Sequence, residues 1–146
     1  MENNFSPKDI GNLSGLFVFT IDNSEFCINM QEVIGIIRTN DGVSVFNEAD
    51  SCIRYRGEEY RIIPLSKIYN LIHKNSNKSR VLLLDIKHKL YSMLVDKINE
   101  VIAVKEKYNK TMSFETDNDP TLYGIIKHDG QEIRYPDYAS LVQGEA

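Results

Sequence analysis

The sequence predicts a mainly β protein made of two small barrels in tandem, with short helical runs. Two observations carry this prediction: short apolar runs alternate with polar turns along most of the chain, and one such pattern occurs twice. Neither repeat is long enough to bury a full core alone, so we expect the two barrels to share an interface. The seam between them is therefore the first place to look for function.

The repeat is clearest at the tripeptide Glu32-Val33-Ile34, which recurs as Glu100-Val101-Ile102. In both halves the tripeptide follows two apolar runs joined by a polar turn. Further along, Gly57-x-Glu59-x-Arg61 recurs as Gly130-x-Glu132-x-Arg134, and a short helical run follows each copy. Each of these two glycines is predicted to supply the positive φ of a tight turn.

The apolar runs predict strands in the first half at 16–21, 25–30, 33–38, 43–46, 53–56 and 59–63, and in the second at 81–86, 90–95 and 98–104, with a last unit over 122–141. Leu65, Ile68 and Leu71 or Ile72 have the spacing of one short helix face, which we expect to cap the first barrel. A second helical run is predicted at 137–142. The polar segments 73–80 and 105–120 are predicted as a linker and a loop.

These elements predict a flexible tail at 1–15 and one domain over 16–143. Within it, two barrel subdomains are expected at about 16–72 and 81–142, and an exchange of strands between them is left open.

Composition narrows the class of ligand. The chain of 146 residues is 42% hydrophobic and has a net charge of −4, which argues against nucleic acid as the main ligand and favours a protein partner. No run approaches the ~20 apolar residues of a membrane span, and the N-terminus lacks a signal-peptide pattern, so we expect a cytoplasmic protein without membrane insertion. Cys27 and Cys52 are expected to be thiols there.

The sequence contains no recognisable catalytic or metal motif, and we expect neither an enzyme nor a cofactor. His73, His88 and His128 fall in the linker and in turns, where exposed histidines are the commoner case and a three-histidine metal site the rarer one. Glu58 and Glu59 are neighbours on a strand, so they point to opposite faces and cannot act as an acid/base pair.

The run Val33-Ile34-Gly35-Ile36-Ile37 is unusually apolar, and Ile98, Val101, Ile102 and Val104 match it in the second half. A strand with apolar groups on both faces must be covered on both. The cover is either the second barrel at the seam, or the helix of a partner that lies in a groove there. Both alternatives stay open at this point.

Three segments carry a family resemblance. The segment 53–65, read I-R-Y-R-G-E-E-Y-R-I-I-P-L, resembles a stretch of the CheW family that reads like I-N-L-R-G-E-V-I-P-V-I-D-L. Residues 94–101 are similar to its L-V-D-x-V-x-E-V stretch, and 122–125 to the entry of its last hairpin. Their order over almost the whole of 16–142 identifies the chain as resembling CheW, the chemotaxis coupling protein.

The resemblance implies two five-stranded SH3-like barrels packed around a seam, and no enzymatic activity. It also implies an adaptor that couples chemoreceptors to the histidine kinase CheA in bacterial chemotaxis. One surface would bind the kinase's regulatory domain, and the groove near the seam would accept the cytoplasmic tip of a methyl-accepting chemoreceptor. The protein would then act in the cytoplasm, at receptor arrays associated with the membrane.

By this resemblance the candidate partner-binding residues are Val33, Gly35, Ile36, Arg56, Gly57, Ile98 and Val101. In a gapless match the family's glutamate falls at Gly35, its proline at Arg61 and its aspartate at Pro64, and these departures would alter partner contacts. Arg56 has two interpretations, a polar contact to the receptor or a hydrogen bond that bridges the barrel beside a turn.

Two alternatives remain beside the main hypothesis. The departures at Gly35, Arg61 and Pro64 are compatible with an adaptor of a divergent chemosensory array, such as one for twitching motility. A small β-barrel enzyme or nucleic-acid binder is the third reading, and it requires a titratable cluster or a basic face.

Overall fold

The computed structural model describes residues 15–39, 51–103 and 112–142. Within these ranges the chain forms eleven strands, two short α-helices and one 3₁₀ turn. The strands are β1 (Gly15–Ile21), β2 (Ser24–Asn29), β3 (Val33–Arg38), β4 (Cys52–Tyr55), β5 (Glu58–Ile62), β6 (Arg80–Ile86), β7 (Lys89–Val95), β8 (Lys97–Ala103), β9 (Met112–Glu115), β10 (Leu122–His128) and β11 (Gln131–Pro136). The helices are α1 (Leu65–Ile68) and α2 (Tyr138–Leu141), and the 3₁₀ turn is Met30–Glu32.

The predicted mainly β class is confirmed, and the predicted strands lie within two residues of those observed wherever the structure describes them. Two differences stand out. Strand β9 lies inside the segment 105–120 that the sequence predicts as a loop, and α1 ends at Ile68, four residues before the predicted end of the helical face. The predicted tail at 1–14 and the predicted strand at 43–46 lie outside the described residues.

The chain forms two compact units. Of the described residues, unit 1 takes Gly15–Phe19, Ser24–Gln31 and those from Asn99 onwards, whereas unit 2 takes Thr20–Asn23 and those between Glu32 and Ile98. The bounds of these units are set by which residues contact each other. The predicted bounds of about 16–72 and 81–142 were set instead by the repeat in the sequence.

Unit 1 contains most of a six-stranded sheet with the order β8-β1-β2-β11-β10-β9. Strand β11 runs parallel to β2, and β10 is antiparallel to both β11 and β9. Inside this unit Phe19 stacks on Phe26 with their ring centroids 6.0 Å apart. The hydroxyl of Tyr138, from the buried start of α2, donates a hydrogen bond of 2.8 Å to the carbonyl oxygen of Cys27. This bond fastens the end of the described chain to β2.

Unit 2 contains a five-stranded sheet with the order β3-β6-β7-β5-β4. Alternating residues of these strands form its core: Ile37, Ile53, Tyr60, Ile62, Val81, Leu83 and Leu94. Strand β6 lies between β3 and β7 and is buried on both faces from Val81 to Leu84, as its continuous apolar run requires.

Each of the two sheets contains a hairpin from the other half of the sequence repeat. The β6–β7 hairpin of the second half pairs with β3 and β5 of the first half. The β1–β2 hairpin of the first half lies between β8 and β11 of the second half. Each sheet therefore depends on strands from both halves of the sequence.

Four tight hairpins repeat the same backbone geometry. Asp22–Asn23, Arg56–Gly57, Lys87–His88 and Asp129–Gly130 all have positive φ at both positions. Two successive residues with positive φ form a type I′ turn, whose twist matches that of the flanking strands. The predicted positive φ of Gly57 and Gly130 is confirmed at 83° and 80°.

Gly124 fills a place that no other residue fits. It lies at an irregularity in the pairing of β10 with β11, next to β9. A Cβ atom at this position would collide with the carbonyl oxygen of Glu115 and would lie 2.5 Å from Cζ of Phe114. The glycine in the last family-like segment is therefore explained by the close approach of β9.

We expect Gly124→Ala to lower the free energy of unfolding by about 2–3 kcal/mol, because either β9 or the Phe114 ring must move. Urea unfolding monitored by circular dichroism measures this loss. Gly57→Ala is the matched control: its φ is positive but nothing lies within 4 Å of the added Cβ, so only about 1 kcal/mol of backbone strain is expected. Equal losses in both variants would contradict a steric role for Gly124.

Candidate partner-binding surface

An irregularity in β3 decides which of its side chains face outwards. Val33 pairs with Leu84 and Gly35 with Leu83, so Ile34 is an extra residue in a β-bulge. Beyond the bulge the strand alternates: Ile37 is buried in the core of unit 2, whereas Ile36 is 45% exposed. Ile34 is 52% exposed.

The outward side chains of β3 are Ile34, Ile36 and Arg38, and we refer to them as the β3 surface. Two exposed isoleucines on one strand form an apolar strip of a kind that commonly marks a contact with another protein. The strip ends in a positive charge at Arg38. Of the predicted site residues, Ile36 lies in this surface and Val33, which is half-buried, lies at its start.

Gly35 lies on the inner side of β3. A Cβ atom built on it would lie 3.2 Å from Cδ1 of Leu83, a core residue that is 4% exposed. An acidic side chain at this position would point at apolar atoms. The gapless match, which places the family's glutamate at Gly35, therefore does not describe a surface carboxylate here.

Arg56 and Gly57 form the turn between β4 and β5, at the other end of the sheet order from β3. Both residues are exposed. The guanidinium carbon of Arg56 lies 5.3 Å from the ring centroid of Tyr55, within the range of a cation–π contact. The contact that the structure shows for this arginine is therefore local to its own turn.

Ile98 and Val101, the last two predicted site residues, are both on β8. Ile98 is half-buried and belongs to unit 2, whereas Val101 is 50% exposed and belongs to unit 1.

The helical face predicted at 65–72 is only partly buried. Leu65 is fully buried, but Ile68 is 38% and Ile72 74% exposed. The helix ends early because Asn70 adopts a positive φ of 58°, which turns the chain away. Of the residues predicted for this helix face, Leu65 is therefore buried, whereas Ile72 is exposed.

A buried carboxylate fixes the start of the predicted linker. Asp96 is 8% exposed and accepts hydrogen bonds from the backbone nitrogens of Asp22 (2.8 Å) and Lys74 (3.0 Å). It also binds Nδ1 of His73. The aspartate of the family-like L-V-D segment thus joins three stretches of unit 2, and its role is structural.

Asp22 extends the same network. Its Oδ2 accepts a hydrogen bond of 3.0 Å from the backbone nitrogen of Ile72, and its Oδ1 lies 3.4 Å from Nζ of Lys74. The bond from Ile72 and the charge of Lys74 lower the pKa of the Asp22 carboxyl. His73 and His128 have side chains only 18% and 13% exposed, so the expectation of exposed turn histidines is wrong for these two.

Glu32, at the end of the 3₁₀ turn just before β3, is an unexpected titratable group. Burial and the nearby negative charge of Asp85 raise the pKa of its carboxyl to about 7. Asp85 is on β6, one residue beyond the Val33–Leu84 pair, so two carboxyl groups approach each other at the start of this ladder. The repeat in the sequence marks Glu32, but its environment depends on the pairing of β3 with β6.

The described residues contain no group of three His, Cys, Asp or Glu side chains placed to hold a metal ion. In the same ranges, no helix has both the length and the apolar character needed to cross a membrane.

The family model of the CheW-like domain matches residues 15–146. The chain belongs to the CheW-like domain family. Among solved structures it is similar to the scaffolding protein TtCheW from Thermoanaerobacter tengcongensis, with a TM-score of 0.71 and 19% sequence identity. That match covers 91% of this chain and 90% of TtCheW. A comparison with curated protein sequences gives no match.

The structural match confirms the predicted CheW-like fold of two barrels, and the family match confirms the resemblance drawn from the three segments. The hairpin exchange and the β3 surface are thus features of a CheW-like domain.

The raised pKa of Glu32 predicts a pH-dependent stability. Between about pH 4.5 and 7 the folded protein keeps the Glu32 proton that the unfolded chain releases, so stability should fall as pH rises through this range and level off above it. Glu32→Gln should remove this fall. At pH 8 we expect the variant to be about 1–2 kcal/mol more stable than the parent, a value reduced for solvent screening at a half-buried site.

Urea unfolding at about pH 5 and pH 8 measures both effects. Glu100→Gln is the control, because Glu100 occupies the same place in the repeat but is exposed. If the two variants changed the pH dependence equally, the environment of Glu32 would not be the cause.

Proposed function

We propose that this CheW-like domain is a non-catalytic adaptor of bacterial chemotaxis, which couples methyl-accepting chemoreceptors to the regulatory domain of a CheA-type histidine kinase. The family supports a scaffold role. The observation on this chain that carries the proposal is the β3 surface. Its two isoleucines, Ile34 and Ile36, have 52% and 45% of their surface exposed to solvent. Exposure of this kind has a cost in water that binding to another protein removes.

The polar groups of unit 2 support a scaffold rather than an enzyme. Among the described carboxylates of unit 2, Asp96 is the most buried, and its oxygens accept hydrogen bonds from the backbone nitrogens of Asp22 and Lys74 and contact Nδ1 of His73. A carboxylate with its oxygens occupied in this way is not poised to transfer a proton to a substrate. The adaptor would act at the cytoplasmic tips of receptors, without inserting into the membrane.

Coupling in such an adaptor is a matter of simultaneous contacts. One surface of the adaptor would hold a receptor tip and another would hold the kinase. A shift of the receptor then changes the relative stability of two kinase states only if the contacts to the adaptor differ between those states. The domain needs rigid surfaces for this task. The hydrogen bonds to Asp96 and the paired strands of unit 2 favour such rigidity.

The proposal is tested by titrating the purified domain with a CheA-type regulatory domain, and separately with the cytoplasmic fragment of a chemoreceptor from the same cell. We expect complexes with dissociation constants of tens of micromolar or tighter by calorimetry, a range typical of transient signalling contacts. No heat of binding with either protein would overturn the proposal. Co-purification with a kinase of another sensory array would instead support the divergent alternative.

Two substitutions in β3 separate binding from folding. Ile36→Ala should weaken the receptor complex about tenfold and change the melting temperature little, because the side chain is exposed and outward. Val33→Ala should instead lower the unfolding free energy by about 1–2 kcal/mol, because Val33 lies opposite the fully buried Leu84. The opposite ranking would show that the binding surface lies elsewhere.

A further inference from the structure

The ladder between β3 and β6 begins beside two carboxyl groups. Its first pair is Val33 with Leu84. In an antiparallel ladder the residue before Val33 comes to the level of the residue after Leu84, so Glu32 and Asp85 lie across from each other. Opposite positions of this kind have Cβ atoms about 5 Å apart, and like charges placed there repel each other. Regular pairing stops at this level, because Glu32 belongs to the 3₁₀ turn.

The surroundings of the two carboxyl groups are largely apolar. Both Glu32 and Asp85 are half-buried. Asp85 is two residues from Leu83 on β6, so the two side chains share a face of the sheet, and Leu83 belongs to the core of unit 2. Leu90, which is opposite Asp85 on β7, packs against the same core. A repulsion between two charges is stronger in such a place than in open water.

The cations nearest to Asp85 along the chain do not compensate the pair. Lys87 and Lys89 are exposed and lie at the turn between β6 and β7. The ion pairs that join described residues of unit 2 involve other carboxylates, those of Asp22, Glu59 and Asp96. A proton is therefore the remaining means of reducing the repulsion between Glu32 and Asp85 within the described part of unit 2.

The turn after β6 distinguishes the two carboxyl groups. Oδ1 of Asp85 accepts a hydrogen bond of 3.0 Å from the backbone nitrogen of His88, whose side chain is exposed. A carboxyl group that accepts a backbone N–H suits the charged member of the pair, which leaves Glu32 as the protonated one. The pKa of Glu32 agrees with this assignment, because burial and the charge of Asp85 raise it to about 7.

We propose that Glu32 and Asp85 form a proton switch at the start of β3. While Glu32 carries a proton, the first residues of β3 stay paired with β6, and loss of the proton opens the Val33–Leu84 pair through charge repulsion. The bulge at Ile34 limits the opening to this end, since the extra residue already interrupts the ladder there. Further along, Ile37 is buried in the core and holds the strand.

The switch changes what β3 presents to its surroundings. Ile34 is one of the three residues of the β3 surface, and it lies in the part of the strand that opens. The opened state therefore differs from the closed state in this surface. The inference concerns the fold of unit 2 and does not depend on the adaptor function proposed above.

Nitrogen-15 relaxation dispersion of the whole chain tests the switch, because it detects a minor state that forms within microseconds to milliseconds. Between about pH 6 and pH 8 we expect the population of the opened state to rise about three- to tenfold. Over this range the closed state loses the Glu32 proton that the opened state has already lost, so closure becomes less favourable as pH rises. The exchange should affect the amides of Val33, Ile34 and Gly35 and spare that of Ile37.

Three variants assign the effect to the pair. Glu32→Gln removes the titrating proton and should keep the opened population the same at both pH values. Asp85→Asn keeps an acceptor for the backbone nitrogen of His88 but removes the charge, so the rise with pH should be smaller than in the parent. Glu100→Gln is the matched control, because Glu100 occupies the same place in the repeat and is exposed, and it should keep the full rise.

Three results would overturn the inference. A rise that persists unchanged in Glu32→Gln would assign the opening to another group. Exchange that reaches Ile37 as strongly as Ile34 would show that the strand opens as a whole. If the parent shows no exchange at Val33–Gly35 while its stability to urea still falls with pH, the pair acts only on global unfolding. None of these results bears on binding to a receptor or a kinase, so the proposed function stands or falls separately.

Discussion

The register of β3 on β6 decides which side chains of β3 are buried and which are exposed. The bulge at Ile34 shifts the alternation by one residue, so Gly35 and Ile37 face the core while Ile36 and Arg38 face outwards. The same register brings Glu32 near Asp85 at one end of the ladder and sets Arg38 opposite Arg80 at the other. Without the bulge, the outward residues would be those that now fill the core.

His73 and Asp96 resemble a catalytic pair, but their contacts hold segments of unit 2 together. A histidine and an aspartate in contact are a familiar catalytic pair, yet here Asp96 also accepts the backbone nitrogens of Asp22 and Lys74. A buried carboxylate needs such partners because an unsatisfied charge in the interior is costly. The network holds the chain after α1 against the first hairpin turn.

The sequence could predict what depends on neighbouring residues, and it missed what depends on distant ones. The short apolar run that begins at Val33 predicted the bounds of β3 correctly, because a run of branched apolar residues is a local signal. The bulge and the pairing with Leu83 and Leu84 involve residues almost 50 positions away, so the sequence alone could not show that Gly35 faces Leu83. Strand β9 was missed for a related reason, since its short polar segment becomes a strand through its ladder with β10.

Side-chain environments were the least predictable part of the candidate surface. Ile36 is 45% exposed, but periodicity alone could not separate it from Ile37, which is 8% exposed. His73 was read as a linker residue because its neighbours in sequence are polar, and only the fold brings Asp96 to it. The resemblance to CheW supplied the fold class, whereas the surroundings of Gly35 depend on its pairing with Leu83 and follow only from the structure.

The exchange of hairpins between the two halves limits the order in which the strands can pair during synthesis. β3 ends at Arg38 and its neighbour β6 begins only at Arg80, so a ribosome that has finished β3 must add a further 41 residues before β6 begins. Over that interval the nascent chain carries an apolar strand with no β6 to cover it, a state that favours aggregation and engages chaperones. The exposure of β3 therefore lasts at least as long as the translation of residues 39–79.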